Sequence, residues 1–397
     1  MNHSILVMKP ELLAPCHDFS TLGAAIKAGA DAVYFGAGLS MRAGANFTVS
    51  DLKVVVDTCH NSGVKAYLTT NVVVYEGEFE TLKSLLLSAK DAGVDAVIVH
   101  DLGALKLARE LGLDCHVSTQ ANITNSLSAG VYASLGASRV ILSRELSLEQ
   151  IRGVITNSPL PVECFVHGAM CVSISGRCFF SQALHGKNAN RGECLQPCRR
   201  EWRVISDAGD LVYDSTRFLN SKDLCMIAYI PELISAGISS FKIEGRMRDA
   251  NYVSTVVSCY REAIDDFSES KVPFWLEKLG SVFNRGFCSG FYFGSPSESL
   301  DNAGNLSTVS KVLVGEVVNY FPKVGVAELK LSHDSLAVGD DFIIEGSSTF
   351  LKGVIGSLEV GNKPVSSSLK GSSVGLKVSE RVRIGDLIHK LIKSRVV

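Results

Sequence analysis

The 397-residue sequence has no uninterrupted apolar run approaching the roughly 18 residues that cross a bilayer, which excludes a membrane-spanning helix. Its first residues, MNHSILVMKPELLAP, lack the basic start and the long apolar stretch of a secretory signal, so we expect a cytoplasmic protein. Neither sign of charge is in excess, since 39 basic residues face 41 acidic ones. This balance argues against a whole-surface attraction to nucleic acid or membrane.

Two common groups of short motifs are also missing. The sequence contains no HExxH metalloprotease motif and no P-loop. Gly36-Ala37-Gly38 follows a predicted strand but lacks the remaining glycine of the GxGxxG dinucleotide fingerprint. No zinc-protease or nucleotide-dependent chemistry is therefore indicated by motif.

What the sequence does contain, between residues 11 and 270, is a repeated pattern of a short apolar run followed by a longer amphipathic stretch. The runs predict eight strands: Glu11–Pro15, Ala32–Gly36, Lys65–Asn71, Ala96–His100, Cys115–Ser118, Arg139–Ser143, Val162–His167 and Ser240–Glu244. Strands that alternate with helices form parallel βαβ units. Eight units predict an α/β fold of the (β/α)8, TIM-like barrel type over residues 1–300, with an open doubly wound sheet as the alternative.

The stretches between these strands have helical periodicity. We predict helices at Thr21–Ala28, Leu52–Asn61, Glu78–Asp91, Leu102–Leu111 and Leu148–Thr156. A glycine precedes many of the strands, as expected where a helix ends before a parallel strand: Gly29, Gly63, Gly93, Gly112, Gly136 and Gly237.

Two regions depart from the repeat. A cysteine-rich insertion at residues 168–222 follows the seventh strand and contains a predicted hairpin, Trp202–Ile205 with Leu211–Asp214. Long loops are usually functional, and this one leaves the barrel face that carries active sites. Residues 301–397 have short alternating runs, which predict a small antiparallel β-barrel: Lys311–Val318, Val326–Leu331, Asp341–Glu345, Leu351–Leu358 and Ser373–Val378.

The most specific chemical signal is a quartet of cysteines in the insertion: Cys171, Cys178, Cys194 and Cys198. Four thiols in a polar, glycine-rich loop can bind zinc or a 4Fe–4S cluster. The six-residue gap between the first two favours iron–sulfur over the short knuckles typical of structural zinc, although free buried thiols are the simplest alternative. Cys225 is a reserve ligand, and Cys16, at the end of the first strand, is a further candidate to approach the site.

Polar residues follow several of the predicted strands at their carboxyl ends, and a closed barrel would bring these residues into one pocket. They are His17, Asn71, His100, Asp101, Ser118, Gln120, Asn122, Arg144, Glu145, His167, Glu244 and Arg246. Arg144 and Arg246 have the planar fork that binds carboxylate or phosphate. His167 and Glu244 are the candidates for proton transfer. Asn71, Gln120 and Asn122 are candidates for substrate binding.

At these residues the sequence resembles peptidase family U32, the collagenase-like peptidases. The run ECFVHGAMCVSISGRCFFS, Glu163–Ser181, is similar to the family signature. Further similar segments are KPELLAP, GADAVYFG, STQANITN, RVILSREL, NRGECLQPCR, NSKDLC, SFKIEGR and NRGFCSGF. Within the family, CHVSTQANITN and RVILSREL are most similar to the branch that hydroxylates tRNA.

The resemblance implies a barrel fold, a 4Fe–4S cluster and oxygen-independent hydroxylation of RNA. For the tRNA branch it implies 5-hydroxyuridine at the wobble position, with tRNA and a small carboxylate hydroxyl donor such as prephenate as partners. Other branches hydroxylate a ribosomal RNA cytidine or a ubiquinone precursor, and the family name implies a peptidase. A non-catalytic RNA-binding protein with a structural cluster is a third possibility.

Overall fold

The computed structural model describes residues 9–41, 47–207, 209–211, 217–295 and 304–394. Its first unit is built on eight parallel strands, each buried along most of its length. They are β1 (Glu11–Pro15), β2 (Ala32–Gly36), β3 (Lys65–Thr70), β4 (Ala96–Val99), β5 (Cys115–Val117), β6 (Arg139–Ile141), β7 (Val162–Ala169) and β11 (Ser240–Ile243).

The strands close into a barrel because β11 pairs in parallel with both β1 and β7. The TIM-like fold is therefore confirmed, and the open-sheet alternative is wrong. All eight strands begin at the predicted residue. Most end one or two residues early, whereas β7 continues two residues beyond its predicted end.

Helices cover the outside of this barrel. They are α1 (Phe19–Lys27), α2 (Leu52–His60), α3 (Phe79–Ala92), α4 (Leu102–Glu110), α5 (Ser126–Ser134), α6 (Leu148–Asn157), α8 (Ile230–Ser235), α9 (Ala250–Asp265) and α10 (Val272–Gly280), whereas α7 (Phe180–His185) belongs to the insertion. The five predicted helices are confirmed, with ends shifted by one or two residues. Gly93 shows why glycine ends them: its φ of 84° is left-handed, and its N–H caps the Ala89 carbonyl.

The insertion after β7 contains α7 and a short hairpin, β8 (Val204–Ser206) with β9 (Gly209–Leu211). The predicted hairpin is confirmed there, and its last residues, 212–214, lie outside the described residues. The insertion ends in β10 (Asp223–Cys225), which pairs antiparallel with the end of β7 and in parallel with β12 (Phe287–Cys288).

The second unit is an antiparallel sheet, as predicted. Its strands are β13 (Val309–Phe321), β14 (Val326–Lys330), β15 (Leu336–Ala337), β16 (Asp341–Glu345), β17 (Phe350–Val354), β18 (Leu358–Val360), β19 (Lys363–Val365), β20 (Ser367–Ser368), β21 (Ser373–Lys377) and β22 (Leu387–Lys393). The main sheet has the order β17-β16-β22-β13-β14-β21-β18-β19, and β15 pairs with β20. The predicted run Leu351–Leu358 divides into two strands.

The two units have separate hydrophobic cores and touch through polar contacts. Lys311 Nζ in β13 donates to Asp249 Oδ2 at 2.8 Å, just before α9. Ser20 Oγ in α1 donates to the Thr349 carbonyl at 3.1 Å. The predicted domain boundary at residue 300 falls outside the described residues. None of the helices in the described parts of the chain has the length and apolar character needed to cross a membrane.

Candidate functional site

A large cavity opens at the carboxyl ends of the barrel strands, beneath the insertion. It encloses about 1210 Å³ of empty space, including its mouth. Its floor consists of side chains from inside the barrel, and its roof consists of residues 169–199 of the insertion. The following predicted site residues line it: Asn71, Gln120, Arg144, Cys171, Cys178, Cys194, Cys198, Glu244 and Arg246. Closure of the barrel thus brings most of the predicted site together.

All four cysteines of the quartet face this one cavity. Burial raises the pKa of the Cys198 thiol, the other three thiols add to that rise, and the neighbouring Arg199 guanidinium opposes it. The set of four soft donors from one segment fits a four-thiolate centre. Within the described residues, no three or more Cys, His, Asp or Glu side chains form a group that could hold a metal ion. Ligation would therefore require the thiols to move together.

Two arginines of the insertion hold the roof in place. Arg199 donates to the Asn220 Oδ1 atom at 2.9 Å and to the carbonyl of Met170. Arg191 pairs with Glu78 before α3, and its guanidinium lies 4.8 Å from the centre of the Tyr75 ring. Arg199 thereby ties parts of the insertion to each other, whereas Arg191 ties the insertion to the residues before α3.

Arg144 and Glu244 form an ion pair on the wall of the cavity. The Arg144 Nη2 atom lies 3.6 Å from Glu244 Oε2. Its Nη1 atom donates to the Ala169 carbonyl at 2.7 Å, and its guanidinium lies 3.8 Å from the centre of the Phe165 ring. A cation that is held from behind and loosely paired in front can accept an incoming carboxylate.

Arg246 is held differently. Its Nη1 atom donates to Ser40 Oγ at 2.7 Å and to Thr69 Oγ1 at 3.0 Å, and its Nη2 atom donates to the Met41 carbonyl. The residue is buried. Arg246 therefore joins the ends of β2 and β3, and of the two predicted arginines Arg144 is the better placed to bind a ligand.

The three predicted amide residues separate into two groups. Asn71 Nδ2 donates to Ser118 Oγ and to Gln120 Oε1, both at 3.2 Å, so Asn71 and Gln120 form one network on the cavity wall. Asn122 does not line the cavity. Its Nδ2 atom donates to the Ser175 carbonyl at 3.1 Å and thereby braces the insertion. The substrate-binding prediction for Asn122 is therefore corrected to a supporting role.

The prediction for His167 is also corrected. Strict alternation along β7 would place Glu163, Phe165 and His167 on one inward face. Instead, Phe165 pairs with Lys242 and His167 pairs with Ile243, which leaves Val166 as an extra residue. Such a bulge reverses the alternation beyond it.

His167 therefore points outward, away from the cavity. Its ring packs against Tyr260, with centres 5.5 Å apart. Burial lowers the pKa of His167 to about 3, so the ring stays neutral. A neutral imidazole outside the cavity cannot transfer protons within it, so of the two predicted proton-transfer groups only Glu244 lies in the site.

The reserve ligand Cys225 lies on the same outer side as His167. It pairs with His167 between β10 and β7, is buried, and its Sγ atom lies 4.0 Å from the Tyr260 hydroxyl. It does not line the cavity. Cys16 is buried at the end of β1, with its Sγ atom 4.0 Å from the Tyr34 carbonyl. The structure thus separates both from the quartet.

Other predicted strand-end residues have local partners. Asp101 Oδ1 caps α4 by accepting from the N–H groups of Gly103 and Ala104. Glu145 accepts from Ser143 Oγ. His17 and His100 do not line the cavity, and burial lowers the pKa of His100.

Sequence reasoning missed a ladder of charges inside the barrel. Lys242 Nζ donates to Glu163 Oε1 at 2.8 Å, and Arg139 Nη1 donates to Glu163 Oε2 at 3.1 Å. Arg139 also pairs with Glu11, which accepts from the Tyr67 hydroxyl at 2.8 Å. Only Lys242 of these residues lines the cavity. The sequence signal for this ladder was one charged residue in each of four otherwise apolar strands.

Comparison with known proteins identifies the family. The family model described as Peptidase family U32 matches residues 17–302. A protein of Methanocaldococcus jannaschii named as an uncharacterized protease is 44% identical, over 97% of this chain and 99% of its own. A protein of Porphyromonas gingivalis named collagenase is 37% identical, over 96% and 98%. A Bacillus subtilis protein named tRNA hydroxylation protein P1 is 34% identical, over 80% and 79%.

These relatives span most of the chain, and the family model covers the barrel from the end of β1 onward together with the cysteine-rich insertion. The prediction made from the sequence motifs is confirmed: the chain belongs to peptidase family U32.

Proposed function

We propose that this protein is an iron–sulfur enzyme that hydroxylates RNA without molecular oxygen, with a wobble uridine of tRNA as the target. The observation that carries the proposal is the convergence of four insertion cysteines on one cavity that also contains Arg144 and Glu244. The relative named as a tRNA hydroxylation protein supports RNA as the substrate.

Cys171, Cys178, Cys194 and Cys198 would hold a 4Fe–4S cluster, with zinc as the alternative. When bound, such a cluster would supply redox chemistry at the roof of the cavity. The Arg199 guanidinium beside Cys198 would favour the thiolate form that binds iron.

The chain's own residues would position the two substrates. Arg144 would bind the carboxylate of a small hydroxyl donor such as prephenate, because its Nη2 atom is only loosely paired with Glu244. Glu244 would hold or release a proton at Oε2, facing the same space. The Asn71 and Gln120 amides would hydrogen-bond the base edge. Because the site is recessed under the insertion, the target base would have to leave its stack to enter.

The first test concerns the cluster. After anaerobic purification we expect brown protein with about four iron and four sulfide per chain, as for a 4Fe–4S centre. Cys178→Ser should remove most of the iron, whereas Cys288→Ser, a matched half-buried cysteine outside the cavity, should retain it. Colourless protein with stoichiometric zinc would contradict the redox proposal.

The second test concerns the product. A strain that lacks the gene is complemented with the wild type, Cys178→Ser or Cys288→Ser, and the nucleosides of its tRNA and rRNA are measured by mass spectrometry. We expect 5-hydroxyuridine in tRNA to be restored by the wild type and Cys288→Ser only. Unchanged tRNA together with loss of a hydroxylated rRNA nucleoside would show that rRNA, and not tRNA, is the substrate.

Peptidase activity is the second candidate, favoured by the names of the two relatives that span nearly the whole chain. It predicts cleavage of gelatin or casein by the purified protein. Cleavage that persists in Cys178→Ser and after iron removal would support this alternative, whereas absence of cleavage by cluster-loaded protein would reject it.

A further inference from the structure

Lys242 occupies a position that the proposed hydroxylation does not use. It lies in β11 at the floor of the cavity and is only 3% exposed. Its Nζ atom lies 2.8 Å from Glu163 Oε1 and 4.2 Å from the centre of the Tyr34 ring. The amine of Lys242 thus faces an enclosed, partly apolar space.

The surroundings of Lys242 allow it to lose its charge. Glu163 is shared with Arg139, so this carboxylate keeps a cationic partner when Lys242 becomes neutral. Burial lowers the pKa of Lys242, and the charge of Glu163 opposes this change. Lysines buried in this way serve as bases or form imines with carbonyl compounds, because their neutral amine is nucleophilic.

We propose that Lys242 forms a covalent imine with a small carbonyl compound bound in the cavity. The Lys242 ammonium passes one proton to Glu163 Oε1, and the free amine adds to the carbonyl carbon. The carbonyl oxygen leaves as water with the two remaining nitrogen-bound protons, and a C=N bond forms. The proton on Glu163 then returns to the imine nitrogen.

The position of Arg144 near Lys242 indicates which chemical class of carbonyl compound would bind. The Phe165 ring is close to both cations, with its centre 3.8 Å from the Arg144 guanidinium and 5.6 Å from Lys242 Nζ, and both cations line the cavity. A molecule of a few carbons can therefore reach both. The ligand is a carbonyl compound that also carries a carboxylate. This inference goes beyond the proposed function, since it requires neither a cluster nor RNA.

Imine trapping tests the proposal on the purified full-length protein. The protein is incubated with pyruvate, or with acetone as the matched neutral ketone, and reduced with borohydride, which converts an imine into a stable secondary amine. Mass spectrometry of the peptides should place the pyruvate adduct on Lys242. Lys242→Arg keeps the charge but should show no adduct at position 242, whereas Lys65→Arg, at an exposed lysine of β3, should be labelled like the wild type.

An adduct spread evenly over exposed lysines, or no adduct at Lys242 in the wild type, would overturn the proposal even if Lys242→Arg failed to fold. Arg144→Gln should reduce labelling by pyruvate about tenfold, the size of one lost charge-assisted hydrogen bond, and leave labelling by acetone unchanged. An equal reduction for both probes would refute the assignment of the carboxylate to Arg144. Iron content is measured in parallel, so failure of the cluster proposal is scored separately.

Discussion

The interior of the barrel has two polar layers that differ in how their charges are satisfied. In the lower layer, Glu163 is fully buried and accepts from both Lys242 and Arg139. In the upper layer, Glu244 and Arg144 are partly exposed and 3.6 Å apart. The lower layer is a closed network in which the charges balance, whereas the upper layer is open toward the cavity.

The two layers therefore have different roles: the lower one stabilises the fold, and the upper one is available to bind a ligand. A buried charge that loses its partner is costly, so a closed network is sensitive to any change. A partly exposed pair contributes little to stability and can be exchanged for a ligand. Lys242 belongs to both layers, since it is paired below and lines the cavity above.

Glu163→Gln should destabilise the protein most. It removes the negative charge that Lys242 and Arg139 share; Arg139 keeps Glu11, but the buried Lys242 loses its salt-bridge partner, which should lower the free energy of unfolding by about 4 kcal/mol. Glu244→Gln in the upper layer should lower it by less than about 1 kcal/mol. Urea unfolding followed by circular dichroism measures both, and equal losses would abolish the distinction between the layers.

Gly168→Ala tests the junction between β7 and the cavity. Gly168 has a φ of 104°, and a Cβ atom there would lie 2.4 Å from the Glu244 carbonyl oxygen. Strain and overlap together should cost about 3 kcal/mol. Gly186 also has positive φ but open space around it, so Gly186→Ala should cost only about 1 kcal/mol. A similar cost for both variants would show that the close approach at Gly168 is unimportant.

The pH dependence of stability tests the outward placement of His167. Its folded pKa of about 3 lies below the ordinary value of 6.5, so below pH 6.5 the unfolded chain binds a proton that the folded chain does not. Stability should therefore fall as the pH decreases. Between pH 7 and pH 5 the wild type should lose about 2 kcal/mol more than His167→Asn. Identical pH profiles would place His167 in contact with solvent.

Asn122→Gly should have the smallest effect on global stability. Glycine tolerates the left-handed φ of 55° at this position, so the free energy of unfolding should change by about 0.5 kcal/mol or less. The lost hydrogen bond to Ser175 should nevertheless speed proteolytic cleavage of the insertion. Asn362→Gly, also left-handed but in the second unit, is the control and should not change that cleavage.

Much of the fold could be predicted because each barrel strand is a short apolar run between helical segments. β22 was missed, since its sequence LIHKLIK interrupts the alternation with polar residues. α9 was missed as well, although its sequence is amphipathic. For β22, tertiary packing rather than local pattern determines the structure.

The site could be predicted in part for the same reason. Residues just after the strands, such as Arg144 and Glu244, reach the cavity as expected because parallel strands end at one face. Lys242 and Glu163 lie within apolar runs, where sequence alone does not reveal which partners balance a charge. The inward or outward direction of His167 depends on a single extra residue in β7, and alternation rules assume that no such residue exists.

The extra residue Val166 sets the direction in which the later side chains of β7 point. Deletion of Val166 would remove the bulge yet leave the imidazole facing outward, because His167 would then directly follow the inward-facing Phe165. A register shift that gives Val166 a partner in β11, without loss of a residue, would instead turn the imidazole toward the cavity and supply an acid–base group there. The catalytic repertoire open to this barrel is governed by strand register as much as by side-chain identity.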